Sequence, residues 1–300
     1  MTEIAILVQL NSQYYAAQIM NGVVLGMTYV LIAIGLSLIF GTMGIINFAH
    51  GDMLLLGTYV AWWSATQLES HIIGFILAPL SVIILGVVIE FIGLRRTYDR
   101  SPLLQLLLTF GIAEMLRQSI QFIWGRTAKS FPNPSWATGT VSIGSFSYSS
   151  YRLFVIFSTV AILAGLYWFL KKTDVGIIIR AGTEDREMVN MLGINIYLVF
   201  TIVFAVGAGL AGVAGALIGP IRNATPLLGV NLLIPSFVVV IVGGVGSYIG
   251  TVISGLAIGI IVVLTGVVAP QFSNIVIFII MAAVLLARPQ GLFGEEGVLQ

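Results

Sequence analysis

A run of 65 consecutive residues without a formally charged side chain, from 223 to 287, constrains the fold of this chain more than any other feature. With about 1.5 Å of rise per residue and a hydrocarbon core about 30 Å thick, the run can form three helical crossings of a membrane. Only 8% of the 300 residues are charged, whereas an average soluble domain has about 25%. We therefore predict an all-α polytopic membrane protein.

Other charge-free stretches, at 4–51 (with His50 neutral), 153–170 and 188–221, extend this prediction to about eight (eight or nine) transmembrane helices. They are expected to form a single transmembrane domain over 1–300. One span, 231–246, is short and ends at glycine, so it is either a full crossing or a half-helix or re-entrant segment. The predicted spans are 18–40, 45–67, 72–94, 103–124, 153–170, 197–219, 231–246, 250–268 and 273–287.

The Lys and Arg residues outside the spans predict the orientation. Assigning alternate loops to one side places eight of them together and four on the opposite side. By the positive-inside rule, the richer side is cytoplasmic and holds the loops 95–102 and 171–196 and the C-terminus. The N-terminus and the loops 125–151 and 220–230 are then expected outside.

The cytoplasmic loop 171–196 contains a short amphipathic helix with end signals in its sequence. Thr183 is the predicted N-cap and Gly193 the predicted C′ residue. The carboxylates of the first turn are Glu184, Asp185 and Glu187. The apolar patch, at helical spacing, consists of Met188, Met191 and Leu192. A surface helix on the bilayer and a docking helix for a cytosolic partner both fit, although the surplus of acids disfavours an anionic leaflet.

The external loop 125–151 is rich in Ser, Pro and Gly. Its alternation of apolar residues about Gly144-Ser145 predicts a small β-hairpin with a type II′ turn. Such a hairpin is either a packing element or a platform for a partner, and the sequence leaves both open.

Two glycine-rich stretches predict interrupted helices, near 41–52 and 243–250. In the first, Asn47, His50 and Asp52 either cap the broken helix ends or line a substrate path. In the second, tight helix packing and a flexible gate are both compatible with the sequence, and Gly255 and Gly259 follow at small-residue spacing. The glycines of this second stretch are Gly243, Gly244, Gly246 and Gly250.

Three other charged residues lie within predicted spans. Glu114 and Arg117, three residues apart, are expected to neutralise each other as a structural ion pair. Glu90 lies about one turn before Arg95 and Arg96, and its carboxylate is expected to reach the cytoplasmic interface.

The composition leaves little side-chain chemistry. The chain has no cysteine and two histidines, so a thiol nucleophile and a convincing metal-ligand set are excluded. A net charge of +1 provides no field that would attract nucleic acid. We predict no catalytic residue, no metal and no cofactor in this chain.

In these motifs the chain resembles the permease subunits of high-affinity branched-chain amino acid ABC transporters, specifically the shorter of the two permeases. The resemblance extends over nearly the whole chain, from residue 20 to 294. The matching segments are Asn21-Gly22, Phe40-Gly41, the run from Gly44 to Asp52, the run from Thr173 to Gly176, Asp185-Arg186-Glu187, Gly193-Ile194, the run from Val242 to Gly250, and the run from Arg288 to Gly294.

The resemblance implies an importer in a bacterial inner membrane that moves Leu, Ile or Val by alternating access. In ABC importers a loop of the permease carries a Glu-Ala-Ala-x-x-x-Gly motif that docks on the ATPase. Here Glu187 and Gly193 match its spacing, while Met188 and Val189 replace the alanines. With Arg180 and Asp185 they are the predicted ATPase-coupling element.

The implied partners are a second, related permease, two cytosolic ATPase subunits and a periplasmic solute-binding protein. No P-loop occurs in the sequence, so ATP and Mg²⁺ are expected on the ATPases. Two alternatives stay open. One is an ABC permease for urea or short amides, and the other is a stand-alone channel or ion-coupled carrier.

Overall fold

A computed structural model describes residues 2–143 and 146–294, and within these ranges the chain is mostly helical. Eleven α-helices and one pair of strands form in the described residues. The helices are α1 (Thr2–Met43), α2 (His50–Gln67), α3 (His71–Ile92), α4 (Pro102–Trp124), α5 (Ser150–Lys172), α6 (Asp174–Glu184), α7 (Arg186–Met191), α8 (Ile196–Arg222), α9 (Leu228–Gly243), α10 (Tyr248–Val268) and α11 (Val276–Ala287), and the strands are β1 (Thr140–Ile143) and β2 (Phe146–Ser149).

Nine of these helices coincide with the nine predicted spans, which confirms the all-α polytopic fold. Five are long and apolar enough to cross a membrane by themselves: Gln13–Met43 within α1, His71–Thr97 (α3 with the 3-10 turn after it), α5, α8 and α10. Helices α9 and α11, with 16 and 12 residues, are shorter. Helices α2 and α4 carry ionisable side chains that lower their hydropathy.

Helix α1 forms the centre of the bundle because its small residues let neighbouring backbones approach closely. Gly22 and Gly26 of α1 face Gly255 and Gly259 of α10. A Cβ at Gly26 would lie 2.8 Å from the carbonyl oxygen of Gly255, and one at Gly259 would overlap the backbone of Gly26. The small-residue spacing predicted at Gly255 and Gly259 therefore does mediate helix packing.

One end of the bundle brings together the end of α1, the α6–α7 segment, the α9–α10 turn and the chain after α11. The Thr42 and Thr183 hydroxyls are 3.1 Å apart, and the amide of Gly246 donates to the Ser37 hydroxyl at 3.1 Å. The amide of Leu292 donates to the carbonyl of Val242 at 2.9 Å. This contact satisfies one of the free carbonyl groups at the end of α9.

The opposite end holds the described residues 125–143 and 146–149 and the connection between α8 and α9. Lys129 and Ala224 form an isolated antiparallel bridge, and the indole of Trp62 donates to the Ser130 carbonyl at 3.0 Å. Strands β1 and β2 pair in register with Ile143 opposite Phe146, so the predicted hairpin is present. Residues 144 and 145, and with them the predicted turn type, lie outside the described residues.

Candidate substrate path and coupling segment

The helix break predicted near 41–52 is present. Helix α1 ends at Met43, Gly44 has φ +70, and the backbone stays non-helical until α2 begins at His50. Of the three polar residues, Asn47 makes a local turn contact, because its side-chain oxygen accepts from the Ala49 amide at 3.0 Å, whereas α2 has no side-chain N-cap hydrogen bond. Within the break Ile45, Asn47 and Ala49 are buried and Gly44 is exposed, so most of this irregular backbone is enclosed by protein, as non-helical backbone within a membrane protein must be.

His50 lies in the bundle interior, with its imidazole against Gly35 in α1. Both ring nitrogens of His50 and the side-chain nitrogen of Asn47 are buried, with no hydrogen-bond partner among the described residues. The next residue, Gly51, contacts Gly229 in the first turn of α9. Helices α2 and α9 thus both begin inside the bundle with their first turns in contact.

Asp52 forms the shortest salt bridge among the described residues, and its partner is on α4. The Arg117 guanidinium donates to both carboxylate oxygens of Asp52, from Nε at 3.0 Å and from Nη2 at 2.8 Å. Arg117 also donates from Nη1 to Glu114 at 3.0 Å. The expected Glu114–Arg117 pair exists, but Asp52 also binds Arg117 through both of its carboxylate oxygens, and this pairing was not predicted. The sequence carries a signal for this pairing, because Asp52 and Arg117 are opposite charges in two predicted spans.

The prediction for Glu90 is wrong, because its side chain is enclosed by protein instead of reaching the membrane interface. It is fully buried and accepts from Arg95 at 3.2 Å and from the hydroxyls of Tyr98 and Thr201 at 2.5 and 2.7 Å. Thr201 lies near the start of α8, so the contact joins α3 to α8. Burial, and then the hydrogen bond to Glu90, raises the pKa of the Tyr98 hydroxyl above its usual value.

The second predicted break is also present, since α9 ends at Gly243 and α10 begins at Tyr248. Gly244 and Gly246 have φ +97 and +77, which favour glycine. Gly243 and Gly250 touch each other through their backbones, and Gly244 packs against Gly294. Close packing and positive φ account for all four glycines. The gate remains a prediction.

The segment 171–196 folds into two helices, α6 and α7, rather than one. Thr173 caps α6 by accepting from the Gly176 amide at 3.1 Å. Asp185, not Thr183, is the N-cap of α7 and accepts from the Met188 amide at 2.9 Å. Thr183 instead lies in the last turn of α6 and donates to the Ile179 carbonyl at 3.0 Å. A carboxylate is a strong N-cap acceptor, and the turn between the helices places Asp185 there.

Gly193 occupies the C′ position of α7, as predicted, with φ +81. Its amide donates to the Asn190 carbonyl at 3.0 Å, and the Ile194 amide donates to the Val189 carbonyl at 3.4 Å, which is the Schellman arrangement. The predicted apolar patch is open, with Met188, Met191 and Leu192 exposed by 51%, 74% and 71%. Arg180 and Glu187 are exposed near it.

No group of three or more potential metal-ligating side chains occurs in the described residues. The α2–α4 pair offers ionic and hydrogen-bonding contacts, and α7 offers an exposed apolar patch. The long apolar helices of the bundle define a multi-pass membrane protein.

Comparison with known proteins identifies the family. Residues 18–285 match the family model described as branched-chain amino acid transport system / permease component, and the chain belongs to this family. The high-affinity branched-chain amino acid transport system permease protein LivH of Salmonella typhimurium is 30% identical over 299 residues, which cover 95% of this chain and 97% of LivH. LivH of Escherichia coli has the same values.

Two more relatives support the assignment. The permease protein BraD of Pseudomonas aeruginosa is 30% identical over 301 residues, covering 95% of this chain and 97% of BraD. A probable LivH of Methanocaldococcus jannaschii is 27% identical over 287 residues, covering 89% of each chain. Among solved structures, PsaBC from Streptococcus pneumoniae in complex with Fab shares 11% identity with a TM-score of 0.47 over 89% of each chain. The family resemblance seen in the sequence motifs is confirmed.

Proposed function

We propose that this chain is a transmembrane subunit of an ATP-driven importer that carries branched-chain amino acids across a bacterial inner membrane. Membership in the permease family and the names of the LivH and BraD relatives support this substrate class over urea or short amides. A zwitterionic amino acid crosses hydrocarbon poorly, because each charged end is costly to dehydrate. A path walled by permease helices lowers that cost.

The exposed apolar patch of α7 is the observation that best supports coupling of this chain to a separate ATPase subunit. Met188, Met191 and Leu192 project from a helix that is capped at both ends, whereas Val189 on its other face is buried. A rigid helix with exposed methionines suits insertion into a cleft of another protein. We assign it to a cytosolic ATPase subunit, which holds ATP and Mg²⁺.

The remaining partners are inferred from the family, and we assign them to the two ends of the bundle by the distribution of Lys and Arg. The end that carries α6 and α7 is placed in the cytoplasm, with the C-terminus, and the N-terminus in the periplasm. The opposite end, with the β1–β2 hairpin and residues 223–227, then faces a periplasmic solute-binding protein. A second, related permease completes the path across the membrane.

Movement at α7 has a direct route to the helix break. Helix α6 packs closely against the end of α5, because a Cβ at Gly176 would lie 2.6 Å from the Cα of Leu170. The hydroxyl contact between Thr183 and Thr42 then links the end of α6 to the last turn of α1, next to the non-helical residues 44–49. A rigid-body shift of α6–α7 on ATP binding would tilt the end of α1 and switch the open side of the path.

Replacing Gly193 by valine is expected to abolish association with the ATPase subunits while the protein still inserts in the membrane. Valine strains the backbone at φ +81, by about 1–3 kcal/mol, and opens the C-terminal end of α7. Gly193→Asn is the matched control, because asparagine tolerates this conformation and a Cβ there meets no atom within 4 Å. Co-purification of the ATPase with each variant, made together with all partner subunits, is the measurement.

Glu187→Arg tests the same contact through charge and is expected to weaken co-purification as well. Full ATPase binding by both Gly193→Val and Glu187→Arg would show that α7 is not the coupling helix. ATP-dependent leucine uptake by proteoliposomes that hold the whole complex tests the function itself. Uptake by this chain alone, without ATPase, would instead support the channel or carrier alternative.

A further inference from the structure

Methionine is the only sulfur-containing residue of this chain, which has nine methionines and no cysteine. The sulfur of a thioether is polarizable and is oxidised by peroxides to a sulfoxide, a change that cells can reverse. Cysteine is the other side chain with reversible oxidation chemistry of this kind. Reversible oxidation of this chain is therefore confined to its methionines.

The methionines of the described residues fall into two groups. Two of them, Met188 and Met191, lie on α7, in the segment between the apolar helices α5 and α8. The others lie in helices that coincide with predicted membrane spans, and among these Met115 alone is classed as exposed. This second group consists of Met20, Met27, Met43, Met53, Met115 and Met281. Met188 and Met191 are thus the described methionines that combine exposure with a position outside the spans.

The side chains of Met188 and Met191 lie on one face of α7, because they are three residues apart in a helix. They are 51% and 74% exposed, and Leu192 beside them is 71% exposed. Val189, on the other face, is 2% exposed and packs against the rest of the chain. Since both ends of α7 are held by cap hydrogen bonds, the two thioethers stay directed away from the bundle.

A peroxide oxidises a thioether by transfer of one oxygen atom. The sulfur lone pair attacks one peroxide oxygen, the O–O bond breaks and a sulfur–oxygen bond forms. Sulfur loses two electrons, and the proton of the transferred oxygen moves to the leaving oxygen, which departs as water when the reagent is hydrogen peroxide. A methionine sulfoxide reductase returns the sulfoxide to the thioether with two electrons from a dithiol, and the oxygen leaves as water.

We propose that Met188 and Met191 form a reversible oxidation site, at which sulfoxide formation by a peroxide releases this chain from the ATPase subunit. The regulatory part rests on the proposed function, which places this patch in a cleft of the ATPase. A sulfoxide oxygen that enters an apolar cleft loses its water without gaining a partner, which weakens binding by about 10-fold or more. Uptake then falls while peroxide is present and recovers after reduction.

The selectivity of the site is tested by peptide mass spectrometry of the full chain in proteoliposomes, treated with hydrogen peroxide. Met188 and Met191 are expected to gain oxygen before Met27, Met43 and Met53, which are 7%, 4% and 0% exposed, because oxidation follows exposure. Oxidation of the three buried methionines at the same rate as the two on α7 would overturn the site.

The effect on coupling is tested by treating this chain alone, removing the peroxide and adding the untreated partner subunits. The oxidised chain is expected to bind the ATPase about 10-fold or more weakly, and methionine sulfoxide reductases are expected to restore the binding. Its thermal unfolding midpoint is expected to stay unchanged, because neither side chain belongs to the core. Full ATPase binding with Met188 and Met191 both oxidised, or a loss that the reductases do not reverse, would overturn the regulation.

Met188→Leu/Met191→Leu is the matched variant, because leucine keeps most of the apolar bulk and has no sulfur. Its ATPase binding before treatment is its own reference, and peroxide is expected to cause no further change. A fall in binding as large as that of the wild type would show that oxidation acts at another position and would overturn the proposal.

The proposed function and this inference fail in different ways. An untreated wild-type chain that binds no ATPase would overturn the coupling assignment of α7, while preferential oxidation of Met188 and Met191 would still support the oxidation site. Normal binding by the untreated chain, undiminished after oxidation of both residues, would leave the coupling helix standing and overturn its regulation.

Discussion

Replacing Arg117 by methionine is expected to lower the free energy of unfolding by about 3–5 kcal/mol, because Asp52 is left buried with no positive partner. Asp52 is 1% exposed and receives two hydrogen bonds from this guanidinium. Glu114 contributes little to the cost, since it is 46% exposed and can be hydrated when Arg117 is absent. The loss would be visible as a lower thermal unfolding midpoint of the purified chain in detergent.

The double variant Asp52→Leu/Arg117→Met separates charge from packing. Replacing both members of a buried ion pair by apolar groups is often neutral, so the double variant is expected to regain most of the stability lost in Arg117→Met. A double variant as unstable as the single one would show that the cost comes from packing at α2–α4. A stable single variant would show that Asp52 does not depend on Arg117.

Replacing Gly259 by valine is expected to destabilise the bundle by about 3 kcal/mol, at the upper end of the usual cost of overpacking. A Cβ at this position overlaps the backbone of Gly26 on α1, and backbone cannot rotate away as a side chain can. Helices α1 and α10 would have to separate along their whole contact. Because α1 is the most buried of the long spans, we expect reduced folded yield as well as lower thermal stability.

Gly266→Val on the same helix is the control for Gly259→Val. There the nearest atom to a new Cβ is the Ser273 Cβ at 3.7 Å, which is ordinary contact. Both substitutions replace a glycine of α10 by valine, so a much larger loss of stability for Gly259→Val would point to the contact with α1. Equal midpoints would contradict close packing of α1 on α10 as a source of stability.

Much of the architecture was predictable because it depends on local sequence. A long stretch without charged residues predicts a membrane crossing, because lipid surrounds such a stretch at little cost. The predicted spans 153–170 and 250–268 accordingly lie within α5 and α10. The break after Met43 was predictable because Gly44 and the polar residues after it disfavour a continuous helix. Gly193 was predictable as a C′ residue for the same kind of local reason.

Errors arose where a residue's role depended on a neighbour. Thr183 and Asp185 are both good N-cap residues, and only the turn between α6 and α7 decided that Asp185 caps. Glu90 has two arginines close by in sequence, which suggested the interface. Its carboxylate is buried and also accepts from Thr201, 111 residues away. Such pairings are set by helix packing, and no local pattern in a single sequence encodes them.

The sequence by itself therefore determined that lipid surrounds most of the chain, where the crossings and breaks lie, and which family the chain resembles. Each of these depends on composition or on short motifs. Only the tertiary structure decided the ion pairing of Asp52 with Arg117, 65 residues apart, and the burial of Glu90 against Thr201. The physical reason is that an ionised group within a span must find a partner or water. The packing of the other helices determines which of these it meets.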